Sequence, residues 1–320
     1  MEPPPKRSIH VVAAAITDVR GRLLLARRGN GRDLAGLWEF PGGKREPDES
    51  AEDALVRELR EELDITGQVG VPLIEVPQEY PDKFLRLDVR RMTRWNGVPR
   101  GAEGQALAWV PVDKLHRYPM PPADRPVVAM LQQPDRYLVT PEPGGDPEAW
   151  LAALQQALDD GVRRVQLRAR AFEAGPHWPA LAARAVALCR TAGAQVLLNA
   201  QAKLARDLGV GLHLRGEQLE RMSARPSHLA GPLAASCHSP EQVAAAQALG
   251  CDFIVVGSVR ATASHPGGPV LGWDGFERLR LRTPLPIYAI GGLGPADIAE
   301  ARRHGAQGIA AIRGLWPLAC

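Results

Sequence analysis

Glu58, Glu61 and Glu62 lie close together in the run from Gly43 to Ile65. Separations of three and four residues put side chains on one face of a helix. Like charges crowded there repel, and a divalent cation is the obvious compensator. Magnesium takes oxygen ligands, keeps several waters and shares its shell with substrate phosphates. The chemistry implied is hydrolysis of a diphosphate bond: metal neutralises phosphate charge, orients the attacking water and stabilises the leaving phosphate. A carboxylate then assists as general base. An acidic, solvated helix face is the plainer alternative. Against it stands a fixed spacing that extends upstream through Gly43, Glu49 and Arg57.

These carboxylates need a loop, a helix and a second loop to position them. Pro41, Gly42 and Gly43 break a preceding strand and let backbone approach a ligand. Pro47, Asp48 and Ser50 supply helix-entry chemistry. Ala51, Leu55, Leu59 and Leu63 recur every fourth residue and predict a buried stripe. Arg57 has a planar fork suited to a carboxylate such as Glu49, a role in orientation rather than catalysis. Asp64 falls where the helix should end, in a position that asks for a left-handed residue.

The whole run resembles the Nudix box, G-x5-E-x7-R-E-U-x-E-E-x-G-U with U aliphatic. Every fixed position matches except Asp64, where the family has Gly. Residues 8–132 resemble the MutT branch, pyrophosphohydrolases of oxidised guanine nucleotides. The likeness is carried by the strand around Leu23–Arg28, the run Leu37–Lys44, the loop with Trp95 and Glu103–Gln105, and Pro121–Pro126. It implies Mg2+, with Mn2+ as a substitute, held by Glu58, Glu61, Glu62, Glu103 and the Gly42 backbone. It makes the same four glutamates the catalytic set, without fixing which is the base. It implies nucleotide contacts from Arg28, Glu39, Phe40, Lys44, Lys83 and Asp124, and structural roles for Gly43, Glu49 and Arg57. Asp124 stands where the MutT pattern has Asn. An ionised Asp only accepts hydrogen bonds; it suits the N7–H of 8-oxoguanine but repels O6 unless protonated.

With 320 residues the chain is too long for one such unit and suits two domains. Hydrophobic residues at 45% and charged residues at 23% are close to globular averages, so each half can bury a core. A net charge of +3, with no basic run interleaved with aromatics, gives no support to polymeric nucleic acid as a partner. Cys189, Cys237, Cys251 and Cys320 form no C-x-x-C pair and are expected to be reduced structural thiols. The start MEPPPKRS has no apolar signal core and no run is long enough to span a membrane. The expectation is a cytoplasmic protein with small-molecule substrates; the oligomeric state stays open.

The break falls near residues 132–136, giving domains 1–132 and 137–320. From residue 137, apolar runs alternate with helical patterns: 137–140, 165–168, 195–198, 211–214, 232–236, 253–257, 287–290 and 308–312. That alternation predicts about eight β/α units of a parallel barrel, with functional residues at the carboxyl ends of its strands. The overall expectation is α/β: an N-terminal Nudix α/β/α sandwich followed by a C-terminal (β/α)8 TIM-type barrel.

This half resembles thiamine phosphate synthase and its thiazole-tautomerase relatives. The likeness rests on Gln166, Arg168 and Arg170, on Asn199, His213, Ser236 and Thr262, and on Gly291–Gly292 and Gly308–Gly314. It implies a thiamine precursor held by Gln166, Arg168, Arg170, Asn199, Ser236, Thr262, Gly291 and Gly292. The departures are serious. Ala200 and Gln218 stand where the synthase has acids that hold magnesium, and His265 replaces a lysine. A pyrophosphate leaving group without its metal loses its main charge stabilisation. The expected function is therefore an Mg-dependent 8-oxo-dGTP diphosphatase, an oxidised-nucleotide sanitation enzyme serving replication fidelity and DNA repair, with a degenerate barrel. The alternatives are a thiamine biosynthesis or salvage enzyme, and a barrel that acts as a ligand-sensing module.

Overall fold

The computed structural model describes residues 6–317 apart from Asn30, Arg32, Ala174 and residues 263–266. His265 and Cys320 therefore lie outside the described residues. The chain divides into two compact units, the first running to Gln133 and the second starting at Pro134.

The first unit contains strands β1 (Arg7–Ile16), β2 (Arg22–Arg27), β3 (Trp38–Glu39), β4 (Gly42–Lys44), β5 (Thr66–Gly67), β6 (Pro72–Glu79), β7 (Lys83–Met92), β8 (Trp95–Asn96) and β9 (Leu107–Pro111). Helix α1 (Ala51–Leu63) follows β4, and helix α2 (Arg125–Gln132) closes the unit. The sheets run β4-β1-β7-β6, β3-β2-β9 and β5-β8. β1 and β7 are parallel; β4 and β6 flank them antiparallel.

Strand periodicity explains the layering. Along β1, Val12, Ala14 and Ile16 join one core with Leu55, Leu59 and Leu63 of α1. Ala13 and Ala15 point the other way, into a core with Val127 and Met130 of α2. The two helices thus cover opposite faces, giving α/β/α layers. Leu55, Leu59 and Leu63 are at most 1% exposed, so each contributes about 1.5–3 kcal/mol of burial. Ser50 caps α1, its hydroxyl accepting from the Asp53 amide at 3.0 Å. Asp64 ends it at φ 55°, the left-handed conformation, with its amide donating to Arg60. The sheet and cap together fix where the acidic face of α1 lies.

In the second unit the strands are β10 (Arg136–Val139), β11 (Arg164–Leu167), β12 (Gln195–Asn199), β13 (Gly211–Leu214), β14 (Leu233–Cys237), β15 (Phe253–Gly257), β16 (Ile287–Ile290) and β17 (Gly308–Ala311). Each pairs in parallel with its chain neighbours, and β17 returns to β10, closing the barrel. Tyr137, Leu197, Phe253, Val255 and Tyr288 fill its interior. Arg164 is 2% exposed, with its guanidinium 4.3 Å from the Phe253 ring centre. Its Nη1 donates to the Tyr288 hydroxyl at 2.7 Å. This aromatic–arginine plug closes the barrel axis near the strand starts and leaves room at the carboxyl ends.

Candidate functional site

On α1 the acidic face is organised by Arg57. Its Nε and Nη2 donate to the two carboxylate oxygens of Glu49 at 2.9 and 3.0 Å. Its Nη1 reaches Glu58 at 2.9 Å and Glu61 at 3.4 Å. Nη2 also donates to the Lys44 carbonyl at 3.0 Å, tying helix to loop. Its hydrogen bond to Glu49, then that to Glu58, holds the guanidinium well above its ordinary pKa. Glu49 is shifted down, chiefly by the same pairing. Gly43 leaves room for the Glu58 carboxylate, which would have to move if a side chain were placed there.

The carboxylates differ in setting. Glu62 is buried at 8% exposure, the Glu58 side chain is 15% exposed and that of Glu61 60%. The loop carrying Glu103 is held at the end of α1. The Ala102 amide and Gln105 Nε2 both donate to the Glu62 carbonyl at 2.9 Å, and the Glu103 amide donates to Gln105 Oε1. Among the described residues, no three His, Cys, Asp or Glu side chains converge into a ready metal cage. Arg57 Nη1 holds both Glu58 and Glu61 in the present arrangement.

A second group gathers near β2, β3 and the start of α2. Arg28 pairs with Glu39, and its Nε donates to the Asp33 carbonyl at 2.7 Å. Lys83 meets the Asp33 carboxylate at 2.5 Å. Asp124, 6% exposed, accepts from the Phe40 amide at 3.4 Å. Burial, then the nearby Glu39 charge, pushes its carboxyl up to about 8. Of the two states that the sequence leaves open for Asp124, this setting favours the protonated one. At neutral pH it keeps its proton, because a buried carboxylate has too little solvation, and it both donates and accepts. Lys44 is exposed and contributes its carbonyl, to Arg57.

In the second unit a cavity of about 960 Å³ opens at the carboxyl ends of the strands. All the barrel residues named from the sequence line it, from Gln166 to Gly292. Gln166 Nε2 donates to Asn199 Oδ1 at 3.1 Å, and Asn199 Nδ2 to Glu173 at 2.9 Å. Arg215 takes the other Glu173 oxygen at 2.5 Å. His213 joins the Tyr137 hydroxyl (3.1 Å) to the Ser236 hydroxyl (2.8 Å), and burial lowers it to about 3, so it is neutral. Ala200 adopts φ 65°, and Gln218 Nε2 caps its carbonyl at 3.0 Å.

The NUDIX domain pattern matches residues 12–130, and the thiamine monophosphate synthase pattern matches residues 136–315. The chain belongs to both families. The first half is 44% identical over 117 residues to CTP pyrophosphohydrolase of Escherichia coli K12, covering 37% of this chain and 87% of that protein. It is 35% identical over 127 residues to the 8-oxo-dGTP diphosphatase of the same organism, covering 40% and 98%. The second half is 38% identical over 184 residues to thiamine-phosphate synthase of Thermus thermophilus, covering 56% and 86%. The protein is a fusion of a Nudix hydrolase domain and a thiamine phosphate synthase-type barrel. Among the described residues, no helix is long and apolar enough to cross a membrane.

The Nudix donor set fits a hard divalent cation. It is all oxygen, and Gly43 leaves the Glu58 carboxylate seated against the backbone of the box loop. Four participants were given no role by sequence reasoning: Gln105, Asp33 and, in the barrel, Arg215 with its partner Glu173. Only Arg215 had a signal, a cation placed directly after a barrel strand. The others act through tertiary contacts with partners 26 to 50 residues away.

Proposed function

We propose that the Nudix domain hydrolyses a nucleoside triphosphate to the monophosphate and diphosphate, with 8-oxo-dGTP as its substrate and Mg2+ as cofactor, replaceable by Mn2+. Glu58, Glu61, Glu62 and the Gly42 carbonyl would hold the ion, with Glu103 as a fourth carboxylate and candidate base. When bound, the ion supplies charge neutralisation to the phosphates. Arg57 orients Glu58 and Glu61, and Arg28, Glu39, Phe40, Lys83 and Lys44 serve the nucleotide. Domain limits of 1–132 and 137–320 would divide the hydrolase from the barrel.

The observation that carries the substrate assignment is the neutral, buried Asp124 beside the Phe40 amide. A protonated carboxyl presents one donor next to one acceptor, as an Asn amide does. The 8-oxoguanine edge offers N7–H beside O6, a complementary pair. Guanine offers two acceptors there and is refused. Cytosine also offers a donor beside an acceptor, N4–H next to N3. That shared edge, with the 44% identity to a CTP pyrophosphohydrolase, favours cytidine triphosphates as a second reading. A turnover screen of the purified chain against 8-oxo-dGTP, dGTP, CTP and thiamine diphosphate analogues tests both. Turnover of dGTP as fast as 8-oxo-dGTP and CTP would remove the edge argument.

For the barrel we propose binding of a phosphorylated thiamine precursor with little or no synthase turnover. Ala200 has no polar side chain and Gln218 is neutral and tied to the backbone, so neither replaces a metal-binding acid. This supports a sensing or binding module over a working synthase. A coupled assay with the pyrimidine diphosphate and thiazole phosphate precursors decides it. Robust thiamine phosphate formation would mean that another acid, Glu217 for example, holds the metal.

A further inference from the structure

The barrel cavity has an unusual charge balance. Arg168, Arg170, Arg215 and Arg313 line it, and among the described residues the lining holds one carboxylate, Glu217. His213 adds no charge, since it is buried and neutral. The nearby carboxylates are committed behind the wall. Glu142 accepts from the amides of Arg170 and Ala171, and Glu173 is divided between Asn199 and Arg215. Arg168 is partly offset by Glu142 at 3.9 Å and Arg215 by Glu173 at 2.5 Å, and the positive charge that remains in the lining favours an anion there. Burial and the neighbouring Arg170 charge already work against the Arg168 cation.

The same lining is ill suited to a hard cation, which needs several oxygen ligands. Gln218 is used at both ends, donating to the Ala200 carbonyl and accepting from the Arg215 amide. Arg215 Nε is buried without a hydrogen-bond partner, so this guanidinium keeps a donor unspent. The lining also holds the Gly291–Gly292 turn, where a side chain at Gly291 would strike Ser258 and Val259.

We infer that this cavity binds a diphosphate-bearing anion without a divalent cation, and that Arg215 supplies the charge such a cation would bring. This rests on the reading of the barrel as a module for phosphorylated ligands. Glu173 sets the availability of Arg215: while it holds the guanidinium, part of that charge is cancelled.

The test uses the full chain carrying Glu58→Gln, so that the hydrolase metal site does not contribute. Inorganic pyrophosphate is titrated calorimetrically in excess chelator and again in Mg2+. Binding should persist in chelator. Arg215→Ala should weaken it about tenfold or more, the loss of a charge-assisted pair. Glu173→Gln keeps an oxygen for Asn199 but releases the ion pair, and should tighten binding. A merely structural role for the pair would shift both variants in the same direction. That result, or a requirement for Mg2+, overturns the inference. If Arg215→Ala does not fold, the chelator comparison and Glu173→Gln decide. The pyrimidine diphosphate is titrated in parallel. Metal-independent pyrophosphate binding without precursor binding removes the thiamine reading alone. Precursor binding only with Mg2+ removes the inference alone. No binding of either ligand removes both.

Discussion

Arg57 grips Glu49 with two nitrogens, at 2.9 and 3.0 Å, while its third reaches Glu58 on the same helix at 2.9 Å. One planar cation thus fixes the loop before α1 and the carboxylate that heads the acidic face. The fork geometry matters, because an ammonium group cannot hold two oxygens in one plane and still reach a second carboxylate.

Arg57→Lys should therefore lower kcat of nucleotide hydrolysis by about 10- to 100-fold, the usual cost of losing a partner that orients a ligand. KM should move less than kcat, and the melting temperature should stay within a few degrees. Steady-state kinetics beside thermal denaturation check this. A large fall in melting temperature with unchanged kcat would assign Arg57 to folding alone.

Glu58→Gln and Glu62→Gln should each reduce turnover by about a hundredfold or more at saturating Mg2+, because charge neutralisation at the phosphates is the main catalytic term. Both variants should keep the native circular dichroism spectrum. Near-wild-type rates in both would end the metal-site assignment.

Asp124 predicts a pH dependence. Its folded pKa is raised to about 8, above the unfolded carboxyl value, so its contribution to stability is fully present below the unfolded pKa. That contribution falls as pH rises and is gone once pH passes about 8. Asp124→Asn, which cannot ionise, should gain roughly 1 kcal/mol or more relative to wild type between pH 5 and 9, measured by urea unfolding. The specificity constant for 8-oxo-dGTP should drop above pH 8 in wild type but not in Asp124→Asn. Asp124→Ala should harm 8-oxo-dGTP more than dGTP. Equal losses for the two substrates would give Asp124 a general role in nucleotide binding.

At the end of α1, Asp64 adopts φ 55°, and its carboxylate pairs with exposed Arg100 at 2.6 Å. An exposed pair contributes about 0–1 kcal/mol, while Gly adopts this conformation without the roughly 1 kcal/mol penalty of a side chain. Asp64→Gly should raise the melting temperature by a few degrees with activity unchanged. A lower melting temperature would show that the pair with Arg100 outweighs the strain.

Local patterns made much of this protein legible in its sequence. The box is one continuous segment, so Glu58, Glu61, Glu62, Arg57 and the cap at Ser50 follow from spacing along a single loop and helix. The eight barrel strands announce themselves as apolar runs, since strands buried on both faces carry no polar alternation. Their carboxyl ends then mark Gln166, Asn199 and Ser236. What only the tertiary structure decided depends on surroundings. Whether Asp124 is charged is set by its burial and by Glu39, 85 residues away in sequence. That Arg57 gathers two of the glutamates, rather than leaving them open, depends on rotamers that spacing does not choose. The arginine-rich wall of the barrel is assembled from the ends of β11, β13 and β17. Those ends meet only when the sheet closes, so their combined charge is a property of the closed barrel and not of any segment.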